Sequence, residues 1–89
     1  MSEFDLGKVV MTRGIAESGI SEEELSQLVT RHSSGDWGNL GIEDKVANDV
    51  AVVSSEERIF SKYIIDSESI YIITEWDRSV TTIMYASEY

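Results

Sequence analysis

The stretch from Arg58 to Tyr85 most constrains what this chain can fold into. It holds three runs of β-branched and aromatic residues divided by two short polar turns, and no proline interrupts them. Arg58 to Ile65, Ser69 to Trp76 and Val80 to Tyr85 read as strands, with turns at Asp66 to Glu68 and Asp77 to Ser79. Turns this short join neighbouring antiparallel strands, so the last third is a meander. In the middle strand Ile70, Ile72 and Trp76 alternate with Tyr71, Ile73 and Glu75. Large apolar groups on both faces place that strand centrally, with one face against helices and the other partly covered.

The earlier part of the chain supplies those helices. Leu6 to Thr12 reads as a first strand, and Arg13 to Gly19 as a helical turn or two ended by Gly19. Ser21 and Glu24 have capping-box spacing, and acids at positions 22–24 suit the positive end of a helix dipole. Leu25, Leu28, Val29 and His32 then form one stripe, and Ser33, Ser34 and Gly35 end the helix. A turn-rich loop around Trp37 leads to a second helix, from Ile42 or Glu43 to about Val53. Its Val46, Val50 and Val53 share one face, with Ala47 and Ala51 beside them. The expected fold is α+β: two layers in the order β-α-α-β-β-β, an antiparallel C-terminal meander with the helices packed on one face.

Length bounds the rest. The 89 residues make a single compact domain, 1–89, with residues 1–5 frayed at the end. With no cysteine, a disulfide scaffold, a thiolate zinc site and a cysteine nucleophile are excluded. No apolar run approaches the roughly 20 residues of a membrane span. The N-terminal MSEFDLGK carries acids where a signal peptide needs bases, so a cytoplasmic protein is expected. The formal net charge is -10, from 17 acidic and 7 basic residues. Without a basic patch, direct nucleic-acid binding and binding to an anionic membrane are disfavoured. A basic protein partner fits the charge, and so does simple solubility.

Several stretches carry a resemblance. His32, Gly35, Asp36, Trp37 and Gly38 form H-x-x-G-D-W-G, and Glu43, Asp44 and Asn48 form E-D-x-x-x-N. Ser61 and Tyr63 follow as Ser-x-Tyr, Ile72 to Thr82 as I-I-T-E-x-D-R-S-x-T-T, and Glu88 and Tyr89 as the closing E-Y. With LGKVVMTRG at the start, the chain resembles a family of small, mostly uncharacterised bacterial proteins found on plasmids, phages and other mobile elements. Some members carry labels such as "plasmid-related protein" or "type I restriction subunit M". A DNA methyltransferase subunit needs a cofactor domain and an Asn-Pro-Pro-Tyr-type motif, and a chain without proline has none. The resemblance thus implies a mobile-element protein without implying an activity. Where relatives have a small residue this chain has Trp76, so the resemblance gives Trp76 no role. Ala86 and Ser87 hold a segment where relatives carry a proline.

The candidate residues are few. His32 with Asp36 is the one pairing suited to proton transfer, with Arg31 beside it. The plainer reading has His32 close the apolar stripe and cap its own helix. Trp37 with Asp36 is either a structural plug or an aromatic anchor for a partner. Glu75, Asp77 and Arg78 surround a turn that could bind an anion, or that Arg78 ties by a salt bridge to a nearby acid. Glu43, Asp44 and Asn48 fall short of the six oxygen ligands a calcium site takes, so no metal is expected. Thr81 and Thr82 have no base beside them in the sequence, and no Gly-rich phosphate loop implies a cofactor.

Three function classes follow. One is a non-enzymatic interaction module or regulator that binds a basic partner protein, in the manner of a DNA mimic. Another is a small accessory subunit or toxin–antitoxin-like partner, whose acidic charge only offsets a basic mate. The last is a small hydrolase or nuclease-like enzyme using His32 and Asp36. Separately, a sheet edge left open by the first or last strand would invite homodimers by strand addition. A module needs an exposed apolar patch, a mimic needs acids on one face, and an enzyme needs His32, Asp36 and Arg78 in one pocket.

Overall fold

Helix α2 (Glu22–Ser33) starts where its cap dictates. Ser21 Oγ accepts the Glu24 N–H at 3.1 Å, and Glu22, Glu23 and Glu24 occupy the first turn. It ends on Gly35, whose φ of 87° only glycine adopts at no cost. There Gly35 N–H bonds His32 O and Asp36 N–H bonds Arg31 O, which closes the last turn. The computed structural model describes residues 3–89 in this way.

The remaining elements are β1 (Lys8–Met11), α1 (Arg13–Ala16), α3 (Ile42–Ser54), β2 (Ile59–Ile65), β3 (Glu68–Thr74), β4 (Val80–Tyr85) and a closing 3-10 turn (Ala86–Glu88). The strands form one four-stranded sheet in the order β1-β4-β3-β2. The architecture is α+β, and β2-β3-β4 is the expected antiparallel meander. The sheet as a whole is mixed, because β1 returns to pair with β4 in parallel. That pairing needs Gly7 in a left-handed turn (φ 64°), where a Cβ would collide with the backbone of Ser79. Of the N-terminal residues expected to fray, Met1 and Ser2 lie outside the described residues. Glu3 donates its N–H to Ser33 O at 2.8 Å, and Phe4 packs into the molecule.

Register sets the inner face. Tyr63 lies opposite Ile70, which lies opposite Tyr85; Ser61 lies opposite Ile72, which lies opposite Ile83. Ile15 from α1 and Leu25 and Leu28 from α2 close over Tyr63, Ile70, Ile72 and Ile83 as the main core. The outer face is partly covered as well. Phe60, Tyr71 and Tyr89 meet edge to face, with Phe60 and Tyr71 centroids 4.5 Å apart. The terminal turn is anchored by Glu88, whose carboxylate accepts the Thr12 hydroxyl and the Tyr85 N–H, both at 2.8 Å.

Helix α3 stands at the edge of the sheet and turns its valine stripe outward. Its buried residues are Asn48 and Ala51, while Ile42, Val46, Val50 and Val53 are 79%, 54%, 59% and 87% exposed. The helical periodicity is right, and the face it would be expected to bury is the one left in solvent. The reason is Asn48. Its amide donates to Phe60 O at 2.6 Å and accepts the Phe60 N–H at 3.1 Å, so it pairs with the outer edge of β2 as another strand would. Beside it, Lys62 N–H bonds Trp37 O and Lys62 O accepts the Asn39 N–H at 2.7 Å.

Asn48→Ala removes both bonds and leaves two β2 backbone groups to be resolvated. We expect a loss of about 2 kcal/mol or more in urea unfolding. The double change Val46→Ser, Val50→Ser should cost less than about 1 kcal/mol, because both side chains are already wet. A loss of several kcal/mol in that double variant would show the stripe to be core.

Candidate functional site

The residues singled out by sequence fall into three separate networks. The deepest is built on His32, which α2 projects onto the sheet. It is fully buried. Nδ1 lies 2.5 Å from Ser61 Oγ on β2 and Nε2 lies 2.9 Å from Thr74 Oγ1 on β3. Thr74 Oγ1 is 2.7 Å from Thr81 Oγ1 on β4, and Thr81 donates to the carbonyl of Leu6 at 2.7 Å. That terminal carbonyl fixes the protons as far as Nε2. Thr81 spends its hydrogen on Leu6, so Thr74 must donate to Thr81 and accept from His32 Nε2–H. Burial disfavours a second proton on the ring, so Nδ1 is the acceptor and Ser61 donates to it. The imidazole is neutral, in one tautomer. Burial pushes its pKa down from 6.5 to about 4, since no acid is in contact to compensate a charge.

Around the ring the packing is aromatic. Phe4 meets His32 edge-on at 5.3 Å between centroids, and Trp37 does so at 6.0 Å. Trp37 is 4% exposed, and its indole N–H bonds Asp49 Oδ1 at 3.0 Å. Its large surface is thus buried in the small cluster with Ala51 and Ile59.

Asp36 belongs to the second network. Its carboxylate takes Arg31 Nε at 2.7 Å and Nη2 at 3.3 Å, and it also accepts the Gly38 N–H. The Arg31 hydrogen bond holds the Asp36 pKa below the ordinary carboxylate range. Tyr63 donates its hydroxyl to Asp36 O at 2.6 Å, and Arg31 lies 4.7 Å over the Tyr63 ring. Asp36 and His32 are each committed elsewhere, so the pairing read from their spacing is not formed. Nor does His32 cap its helix; Gly35 does.

Arg78 forms the third. It makes no salt bridge among the described residues, in place of the acid pairing expected for it. Its guanidinium instead donates to the carbonyls of Ala51 (2.8 Å), Glu57 (2.7 Å), Trp76 (3.0 Å) and Glu75 (3.3 Å). It therefore ties the end of α3 to the β3–β4 turn. The Phe4 ring, which packs against His32, lies 6.0 Å from the Arg78 guanidinium carbon. Asp77 accepts the Ser79 N–H and hydroxyl, which lowers its pKa, and Glu75 donates its N–H to Val80 O within the same turn.

Sequence reasoning missed Ser61 and Thr74 as partners of His32, and Thr81 behind Thr74. Their one signal is period-2 alternation, which puts a hydroxyl on the inner face of three strands where an aliphatic residue is expected. Asp44 and Asn48 line a groove of about 360 Å³ with Arg58, but the Asn48 amide is spent on Phe60. Among the described residues no three His, Cys, Asp or Glu side chains gather as a metal cage. No helix among them is long and apolar enough to cross a membrane. Comparison with family models, with curated proteins and with solved structures finds no match.

Stability should carry the mark of neutral His32. The unfolded chain binds a proton near pH 6.5, and the native chain only near pH 4. Between those values the unfolded state holds more protons, so stability rises with pH across the window and falls on acidification, by about 3 kcal/mol in all. In His32→Gln that component should vanish from chemical-denaturation curves taken from pH 4 to 7. An unchanged slope in the variant would refute a neutral buried His32.

Proposed function

We propose that the chain is a non-enzymatic interaction module, a regulator that uses the outer face of α3 to bind a basic protein. The observation that carries this is the stripe Ile42, Val46, Val50 and Val53, four large apolar side chains on one helical face, all exposed. Isolated exposed apolar residues need no explanation, but a continuous stripe on a helix held by its opposite face does. Trp76, 61% exposed, sits in the turn that Arg78 binds to the end of this helix.

Charge selects the partner. Glu43, Asp44 and Asp49 are exposed on the same helix, with only Lys45 against them, in a chain of net charge -10. An apolar ridge with an acidic border suits a partner that offers an apolar groove or helix face bordered by Lys and Arg. Duplex mimicry has less behind it. Every acid but Glu75 is exposed, and the acids are scattered from the segment before β1 through α2, α3 and the loops to the closing turn. The hydrolase reading has least. Ser61 does donate to His32, but both are sealed from solvent, while Asp36 and Arg78 lie in other networks.

The test is capture from host extract with the intact chain, with Val46→Ser, Val50→Ser, and with Glu43→Lys, Asp44→Lys, each confirmed to be folded. A single basic protein that is retained by the intact chain and lost from both variants supports the proposal. A captured set that is the same for all three, or a specific partner that is acidic, overturns it.

A further inference from the structure

The two edges of the sheet differ in a way the α3 ridge does not explain. On β2 the outward backbone groups of Phe60 and Lys62 are taken by Asn48, Trp37 and Asn39. On β1 the outward groups have no partner among the described residues. Lys8 N–H bonds Ser79 O and Thr12 N–H bonds Ile83 O, both at 3.0 Å. Alternate residues of a parallel strand face the partner, so Lys8, Val10 and Thr12 face β4. The N–H and C=O groups of Val9 and Met11 therefore point away from the sheet. Their side chains, level with Thr81 and Ile83, lie on the helix side and are each 44% exposed. They line an apolar cleft of about 290 Å³ with Leu25, Val29, Ile83 and Glu22. Lys8, the one charge on the strand, lies on the opposite face by alternation and does not guard the cleft.

We propose that this edge and cleft are a second docking site, one that takes an extended peptide as a fifth strand. The peptide bonds to the backbone of Val9 and Met11 and slides its inward apolar side chains beneath α2. Its terminal inward residue is Lys or Arg, because Glu22 is the one charged residue of the cleft lining, with Ser26 beside it, and exposed Glu23 and Glu24 follow in the chain. The ion pairs among the described residues are Arg13–Glu17 and Arg31–Asp36, which leave Glu22 without a cation. A second copy of the chain is a poorer occupant, since it brings another charge of -10. With α3 at the β2 edge and this site at the β1 edge, the molecule could hold two partner segments at once.

The test uses the capped peptide Lys-Thr-Val-Thr-Val-Thr-Lys, whose Lys and Val side chains share one face, and a twin with Glu for Lys. Each is titrated into the isotope-labelled chain by NMR. We expect slowed amide exchange at Val9 and Met11, binding of the Glu twin weaker by about fivefold or more, and loss of that discrimination in Glu22→Lys. Equal binding of both peptides overturns the proposal, as does an unprotected Val9 and Met11. Shifts confined to α3 overturn it too, because the peptide is then read by the ridge. Protection of β1 that grows with protein concentration and needs no peptide assigns the edge to a second copy instead.

Discussion

A one-way chain of hydrogen bonds runs from Ser61 through His32, Thr74 and Thr81 to the carbonyl of Leu6, and the rest of the structure depends on it. It joins α2, all three strands of the meander and the segment that leads into β1. Each of its four side chains is buried, so each missing partner would leave a polar group unsatisfied at a cost of about 1–3 kcal/mol. The chain therefore penalises wrong registers. A one-residue slip of β3 would carry Thr74 to the other face and strand both His32 and Thr81. The apolar core alone, rich in isoleucine, would resist such a slip much less.

The polar residues that look chemically capable are thus consumed by structure. His32, Asn48, Asp36 and Arg78 each satisfy backbone or buried groups that would otherwise go unpaired. What the described residues leave uncommitted is of another kind: an apolar helix face, a strand edge without a partner and a surplus of acids. The proposed reading as a module rests on those features.

The sequence made some of this legible and hid the rest, for physical reasons. The meander was legible because period-2 alternation and short polar turns are local properties, and Val80–Tyr85 has the bounds expected of it. Helix α2 was legible because Ser21, the first-turn acids and the Leu25–His32 stripe agree. The parallel pairing of β1 was not, since nothing within KVVM says which strand it will meet. For α3 the periodicity identified a face but not its direction; a single buried amide, Asn48, outweighed three valines. The partners of His32 stand 29 and 42 residues away, and only the fold brings them to it. In sequence Arg78 looks like half of an ion pair because acids stand beside it, but four backbone carbonyls from α3, the loop after it and the β3–β4 turn converge on its fork.

The most direct measurement is the nitrogen-15 spectrum of the His32 ring as pH is lowered. A hydrogen-bond chain that ends on Leu6 requires a proton on Nε2, and burial, which keeps the ring neutral, adds a bare Nδ1 and no titration until near pH 4. That pattern would confirm the directed chain. A proton on Nδ1, or an imidazole that titrates near 6.5, would contradict it and with it the claim that His32 is spent on the fold.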